Sequence, residues 1–272
     1  MIPLEMLRMA VASLRAHPLR SFLTLLGVII GVATVVTVVS IISGMNGYIE
    51  DKVLTLGADS FVVSKFGIIT RHQDFLDAMK RRDISRRDME AIERSCAACA
   101  EVGADVTGSQ PVRFGDSRLA DTGIHGATAN VAAIQNLEVE DGRFFTDSEV
   151  EASRPVVVIG SDVRSELFGE LAAVGRMIRI DAHPYKVVGV LEKKGSILGQ
   201  NQDKVAYIPL SSWEKDFGTR RSLEVVVRAV TRGNLETAQE QVRQILRARR
   251  HTHYSDPDPF SLVTASALQT VG

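Results

Sequence analysis

From Phe22 to Ile42 the chain reads FLTLLGVIIGVATVVTVVSII, a run of 21 uncharged and mostly apolar residues. At 1.5 Å of rise per helical residue such a run reaches about 30 Å, the thickness of a bilayer's hydrocarbon. The pattern predicts a transmembrane helix over residues 22–42. A cleaved export signal is the competing reading, but its apolar core is shorter, and this one leaves through SGMNGYIEDK without a small-x-small cleavage site. Ahead of the span, in residues 1–21, Leu4, Leu7, Val11 and Leu14 recur three and four apart, which lays them along one face of an amphipathic helix on the membrane surface. Pro18 then makes a turn from that helix into the span; a frayed basic tail is the alternative.

Past the span the period changes. Apolar, β-branched runs at 61–64, 155–160, 176–180, 185–191, 204–210 and 223–230, each flanked by turn residues, predict strands. Ser85 with Asp88, and Thr146 with Glu149, have capping-box spacing and predict helix starts, and SDVRSELFG predicts another helix. After Asn234 the spacing of Leu235, Ala238, Val242, Ile245 and Leu246 gives one apolar helical face. The mixture predicts an α+β extracytoplasmic region over 43–265 in two lobes. One joins about 55–112 with 220–260; the other is β-rich, about 113–215.

Charge refines the topology more than the function. With 32 basic and 33 acidic residues the formal charge is −1, so no nucleic-acid partner is expected. Locally, Arg8, Arg15 and Arg20 precede the span against Glu5 alone, and Glu50 and Asp51 follow it. Positive residues favour the cytoplasmic side, which predicts a cytoplasmic N-terminus and everything after Gly44 outside the cell (inner) membrane.

Candidate chemistry is sparse. The chain carries no G-x-x-x-x-G-K-[ST] and no G-x-S-x-G, and its carboxylate pairs, Glu138 with Glu140 and Asp256 with Asp258, read as solvated. His251 and His253 sit two apart in a loop and the other histidines are scattered, so no metal site is predicted. No catalytic or cofactor-binding residue is assigned. Cys96 and Cys99 form a lone CxxC at a helix end, where a redox thiol is not expected; structural or incidental thiols and a local disulfide both stay open. Lys193 to Lys204, KKGSILGQNQDK, reads as a mobile loop, with Gly195, Ser196, Gly199 and Gln200 as candidates for coupling or partner contact. Within the span, Thr24, Gly27, Gly31 and Thr34 recur at three, four and three, a small-residue stripe that would let another helix approach closely, although glycine is common in membrane helices.

The start LRMAVASLRAHPLRSFLTLLGVIIGVATVVTVVSI resembles the N-terminus of the MacB-type (FtsX-like) ABC transporter permeases. GADSFVVS, LEVEDGRFFTDSEV, PVVVIGSDVRSELFG, the segment VGRMIRIDAHPYKVVGVLEKKGSILGQNQDKVAYIPL, and the late helix before DPFSLVTASAL are similar to that family's periplasmic core domain. The resemblance covers essentially the whole chain. It implies a porter-like lobe of strand-helix units with an inserted, β-rich Sabre-like lobe. It also implies a permease worked by a cytoplasmic ABC ATPase that binds ATP and Mg, paired with a second permease copy or homologue, and served in some systems by a periplasmic adaptor. The implied activity is export or extraction of a substrate such as a lipoprotein, peptide or antibiotic, by mechanical transmission to the outer domain. An FtsX-like signalling permease that activates an external partner is the alternative within the family; a membrane-anchored enzyme or binding protein is the alternative outside it. Family members have four membrane helices, so residues 266–272 are expected to approach a second helix. The cysteine pair departs from the family pattern.

Overall fold

The computed structural model describes residues 18–54, 59–67, 69, 72–197 and 200–264. Leu4, Leu7, Val11, Leu14, Gly199 and residues 266–272 lie outside the described residues. Two compact units divide the chain, one ending at Gly47 and the other beginning at Tyr48.

The first unit contains most of helix α1, Pro18–Leu54. Its 27 residues from Pro18 to Gly44 are long and apolar enough to cross a membrane. Helix continues past the apolar run, to Leu54, because glycines at 44 and 47 lower helix propensity without forbidding it, and no proline occurs between Pro18 and Pro111. Phe22, Ile29 and Val36 are more than half exposed, so this helix brings its apolar surface to lipid or other helices rather than to a core of its own.

The second unit runs β1 (Ser60–Ser64), α2 (His72–Lys80), α3 (Arg86–Ser95), β2 (Cys99–Phe114), β3 (Ser117–Ala127), α4 (Val131–Ile134), β4 (Val139–Gly142), α5 (Asp147–Glu151), β5 (Val156–Ile159), α6 (Ser161–Phe168), β6 (Met177–Ile180), β7 (His183–Leu191), β8 (Ser196–Ile197), β9 (Gln200–Asn201), β10 (Val205–Pro209), α7 (Leu210–Phe217), β11 (Glu224–Ala229), α8 (Leu235–Arg249) and β12 (Ser261–Thr264). Strands β12, β1, β11 and β2 lie side by side and every neighbouring pair is antiparallel. With α3 before β2 and α8 between β11 and β12, this is the split β-α-β arrangement of ferredoxin-like folds. It is the porter-like lobe, and its one long connection, from β2 to β11, carries the inserted lobe.

In that insertion β2 pairs with β3, β3 with β10, β10 with β5, β5 with β7, β7 with β6, and β6 back with β2. The six strands close a ring, and β4 lies outside it, against β7. Strands β5 and β10 are buried on both faces. Val157, Ile159, Ala206 and Ile208 join the main core, while Val156, Val158 and Tyr207 join a second cluster with Phe145, Val150 and Leu191. That two-sided burial is why PVVVIG is a continuous apolar run rather than an alternating one.

All six strands expected from the sequence are present. The β2–β3 hairpin, β4, β12, α2, α4 and α7 are additional, and the lobe boundary drawn near residue 113 falls inside β2, which the two lobes share. The two predicted capping boxes form: the Ser85 N–H donates to Asp88 Oδ2 at 3.1 Å and the Thr146 N–H to Glu149 Oε2 at 2.9 Å. Ala238, Val242 and Leu246 of α8 are buried, with Leu235 and Ile245 partly so.

Candidate functional site

On α1, the three-four-three spacing sets Thr24, Gly27, Gly31 and Thr34 within an arc of about 80° at 100° per residue. A Cβ added at Gly27 or Gly31 would meet nothing within 4 Å, so the strip is bare. Each threonine hydroxyl on this face donates to a carbonyl of its own helix, Thr24 to Arg20 O at 3.0 Å and Thr34 to Ile30 O at 2.7 Å. The face is therefore small and already satisfied in its hydrogen bonds, which suits backbone-to-backbone packing more than interhelical hydrogen bonding.

Lys193 to Lys204 is not the plain loop its composition suggests. β8 and β9 pair into a short ribbon, with Ile197 opposite Gln200. Its base is held by Asp203, which is 2 % exposed. The Asp203 carboxylate accepts the N–H groups of Lys194 and Gly195 at 2.8 Å each, and the Asp203 N–H donates to Asn201 Oδ1 at 2.7 Å. Gly195 has φ +80°, a conformation glycine adopts without penalty. Of the residues singled out here, Gly195 shapes the base of the ribbon, while Ser196 and Gln200 lie on its two strands. The signal that could have disclosed the ribbon is Asn201-Gln202-Asp203, a side-chain-to-backbone turn sequence next to the apolar run of β10.

Beside the ribbon, three strands present polar side chains on one sheet face. His125 of β3 stands opposite Thr107 of β2 and Tyr207 of β10. Its Nδ1 lies 3.0 Å from Asp105 Oδ2 and 3.2 Å from Thr107 Oγ1, and its ring stacks on Tyr207 with centroids 4.6 Å apart. Asp105 is completely buried and His125 only 8 % exposed. The short contact to a carboxylate fixes Nδ1 as the ring's donor and leaves Nε2 for the open side. Sequence reasoning missed this pair because its members lie 20 residues apart on strands that alternate polar and glycine positions.

The Gly142-Arg143-Phe144-Phe145 segment has a structural purpose. Gly142 takes φ +79° with the Val188 carbonyl 2.3 Å from where a Cβ would lie, so β4 can approach β7 only with glycine there. Arg143 makes two hydrogen bonds to the Glu149 carboxylate, at 2.7 and 2.8 Å, and holds that carboxyl down at about 2, with the Thr146 N–H assisting. Phe145 enters the second apolar cluster. Cys96 and Cys99 are joined in a disulfide. After α3 ends at Ser95 the chain turns extended at Cys96 and enters β2 at Cys99, which brings the two Cα atoms to 5.4 Å. The pair thus staples a helix end to a strand start, and free thiols are not what the fold holds.

Comparison with known proteins places this architecture. The family described as MacB-like periplasmic core domain matches residues 21–245. The macrolide export ATP-binding/permease protein MacB of Nitrobacter winogradskyi is 31% identical over 268 residues, covering 97% of this chain and 39% of its own length. The ABC transporter permease YknZ of Bacillus subtilis is 24% identical over 254 residues, covering 93% of this chain and 62% of its own length. The chain therefore spans 39% of the first relative's length and 62% of the second's. Among solved structures, the periplasmic region of MacB from Actinobacillus actinomycetemcomitans superposes with a TM-score of 0.66 at 15% identity, covering 82% of this chain and 97% of that one. The extracellular domain of the noncanonic ABC-type transporter YknZ from Gram-positive bacteria gives 0.61 at 16% identity, covering 75% and 100%. These two likenesses carry the fold and the first match carries the family: the chain, an apolar membrane helix followed by this ring-bearing domain, belongs to the MacB-like periplasmic core domain family of ABC transporter permeases.

Proposed function

We propose that the chain supplies the first membrane helix and the outer domain of a permease that couples ATP hydrolysis in a cytoplasmic ABC ATPase to mechanical work outside the membrane. The observation that carries this is the length of α1. Its 37 residues make a helix of about 55 Å, against roughly 30 Å of hydrocarbon, so one unbroken helix extends beyond the span. In this reading the N-terminus is cytoplasmic, the domain lies outside the inner membrane, and the Thr24, Gly27, Gly31, Thr34 face packs against a second copy or another helix of the bundle. ATP and Mg are bound by the ATPase and not by this chain. The surface-lying helix expected from Leu4, Leu7, Val11 and Leu14 would mark the cytoplasmic entry, and the β8–β9 ribbon, with Gly195, Ser196 and Gln200, would face the external partner. The work done on a lipoprotein, peptide or antibiotic would be a switch between two packed states of the bundle.

The test uses the full-length permease in nanodiscs with its ABC ATPase, reading ATP turnover, permease self-association and release of an exported substrate. Gly31→Leu is expected to abolish self-association and to cut permease-stimulated ATP turnover at least tenfold, with the circular dichroism of the outer domain unchanged. Unaltered assembly in Gly31→Leu would remove the packing face from the mechanism. ATP turnover that activates an external hydrolase without moving any substrate would replace transport by the signalling alternative.

A further inference from the structure

Three arginines stand in one row across the outside of the ring. Arg113 of β2 lies directly opposite Arg118 of β3 on one side and Arg179 of β6 on the other. Residues directly opposite in antiparallel strands put their side chains on the same face, with Cβ atoms about 5 Å apart. All three arginines are exposed, while their neighbours along the strands, Val112, Leu119, Ile178 and Ile180, are buried in the main core. That alternation fixes the row on the outer face. Beside it, on the same face, lie Met177, 52 % exposed, and Lys186, its exposed partner on β7.

Two independent observations point this strip at an anionic partner. The first is unanswered charge. Among the described residues the side chains of Arg113, Arg118 and Lys186 make no hydrogen bond or ion pair, and Arg179 donates only to the Ala182 carbonyl of its own turn, at 3.0 Å. Like charges directly opposite on neighbouring strands destabilise a sheet, and here no carboxylate offsets them, whereas Arg143, Arg228 and Arg243 each face one, Glu149, Glu101 and Asp258. The second observation is shape. A cavity of about 430 Å³ opens beside the row, lined by Arg113, Phe114, Gly115, Met177, Arg179 and Asp181. Two guanidinium groups of the row thus share one hollow, and Arg176, with Cζ 5.7 Å from the Phe114 ring, adds a further cation at its edge. Asp181, the one acid among those six residues, makes no ion pair with either arginine; its N–H donates to Pro111 O at 2.8 Å as the chain turns from β6 to β7.

The size of the strip says which anion fits. It is bounded by exposed acids, Asp116 in the turn after β2 and Asp181 in the turn after β6, and the whole chain has a formal charge of −1. Nucleic acid and anionic membranes are held by an extended basic field, which those acids interrupt. Three cations at intervals of about 5 Å cover about 10 Å. Carboxylates at i, i+4 and i+7 of a helix share one face, 5–6 Å apart, over a rise of about 10.5 Å, whereas three same-face side chains of an extended chain spread over about 13 Å. Arginine also meets a carboxylate through two parallel N–H bonds, which gives the contact a geometry as well as a charge.

We infer that the row Arg118, Arg113, Arg179 docks a helix of a partner protein that carries three carboxylates on one face and lies across the strands, covering Met177 at its edge. The surface is separate from the small-residue face of α1 and from the β8–β9 ribbon, so the inference stands or falls independently of the transport reading.

The probe is an alanine- and glutamine-based helical peptide of about 20 residues with glutamates at i, i+4 and i+7, long enough to hold its helix. It is titrated calorimetrically, at low salt, into the full chain in nanodiscs of zwitterionic lipid. A peptide of the same composition with its glutamates spread around the helix is the control. The one-faced peptide is expected to bind saturably with Kd on the order of 1 mM, and the control at least fivefold more weakly. Arg113→Gln and Arg118→Gln should each weaken the one-faced peptide about fivefold to tenfold, while Arg87→Gln, which removes an exposed cation of α3, leaves its affinity within about twofold. Because each row variant relieves like-charge repulsion, the unliganded thermal midpoint should stay unchanged or rise. Absence of saturable binding overturns the proposal, as does equal binding of the control peptide or an equal loss in Arg87→Gln, either of which would leave charge attraction without a site. A midpoint lowered in both row variants would make the row structural and overturns the assignment. Should Arg113→Gln alone lose stability, Arg118→Gln decides, and unchanged affinity there overturns it. Displacement of the peptide by phosphatidylglycerol vesicles at a lower anion concentration would replace the helix by a membrane and overturns it as well.

Discussion

Asp88 ties two helices of the porter-like lobe together. It caps α3 through the Ser85 N–H and hydroxyl, at 3.1 and 3.0 Å, and meets Arg249 Nε at 3.2 Å and Arg250 Nη2 at 3.5 Å from the end of α8. Burial alone would raise its pKa, but the Ser85 and Arg249 hydrogen bonds and the Arg250 charge outweigh it, and the net displacement is downward. Arg250 is displaced downward as well, since burial outweighs the attraction of Asp88 there, yet a guanidinium stays charged at ordinary pH. Arg250 also donates to Arg82 O at 3.1 Å and Pro259 O at 2.8 Å, and its cation lies 5.8 Å from the Phe260 ring. Asp88→Asn would leave that buried cation without its counter-charge, so a loss of about 2–4 kcal/mol is expected, below the cost of a fully buried pair because Arg249 is partly exposed. A carboxyl whose folded pKa is depressed contributes stability above its unfolded value of about 3.9, and that contribution fades as pH falls through the lower folded value. Urea unfolding of wild type and Asp88→Asn at pH 7 and again near pH 3 is expected to give a gap that narrows on acidification. A gap independent of pH would assign the loss to packing alone.

At the scale of elements, the placement of α7 depends on glycines that no periodicity announces. Trp213 is 2 % exposed and lies on β2 and β3, where a Cβ at Gly126 would come 2.4 Å from Trp213 Cβ and one at Gly108 2.7 Å from its Cη2. Gly126→Ala is therefore expected to displace α7 and cost about 1–3 kcal/mol, with a changed tryptophan emission; an unshifted spectrum and unfolding midpoint would show that the helix does not depend on this approach. The same glycines explain what was hard to read. Gly103, Gly108, Gly123 and Gly126, mixed with Asp105, Thr107 and His125, erase the apolar alternation of β2 and β3, and so the longest hairpin was not foreseen. By contrast, β5 and β10 are buried on both faces and announce themselves as unbroken apolar runs. α8 was legible because one face is buried and the other solvated, and α3 and α5 because their caps are local in sequence. The Asp105–His125 pair and the arginine row could not be read beforehand, since only tertiary closure sets β3, β2 and β6 side by side.

For the β-rich unit as a whole, the decisive fact is that its two lobes share one sheet and its larger apolar cluster, the smaller cluster belonging to the inserted lobe. β2 pairs with β11 through residues 99–105 and with β6 at 112–113, so a single strand belongs to both. One apolar cluster contains Phe61, Ile92 and Val227 of the porter-like lobe together with Ile124, Val187 and Ile208 of the inserted ring. A force applied to one lobe must reach the other through close-packed side chains and a continuous hydrogen-bonded ladder, without a linker to absorb it. The same continuity dictates how the domain unfolds. Losing the ring would strip cover from the porter core, so neither lobe has an independent stable state, and the domain is expected to melt in one transition. Ile92→Ala, in α3, and Val187→Ala, in β7, remove buried methyl groups at opposite ends of that cluster. Each is expected to cost about 2–4 kcal/mol and to lower the same single midpoint. Native-state hydrogen exchange gives the sharper reading: the slowest amides of β2 and of β5 should open with free energies within about 1 kcal/mol of each other, and each substitution should lower both. Were Val187→Ala to loosen β5 and leave the β2–β11 amides unchanged, the lobes would be separable units, and the domain could not pass mechanical work from one to the other as a rigid body.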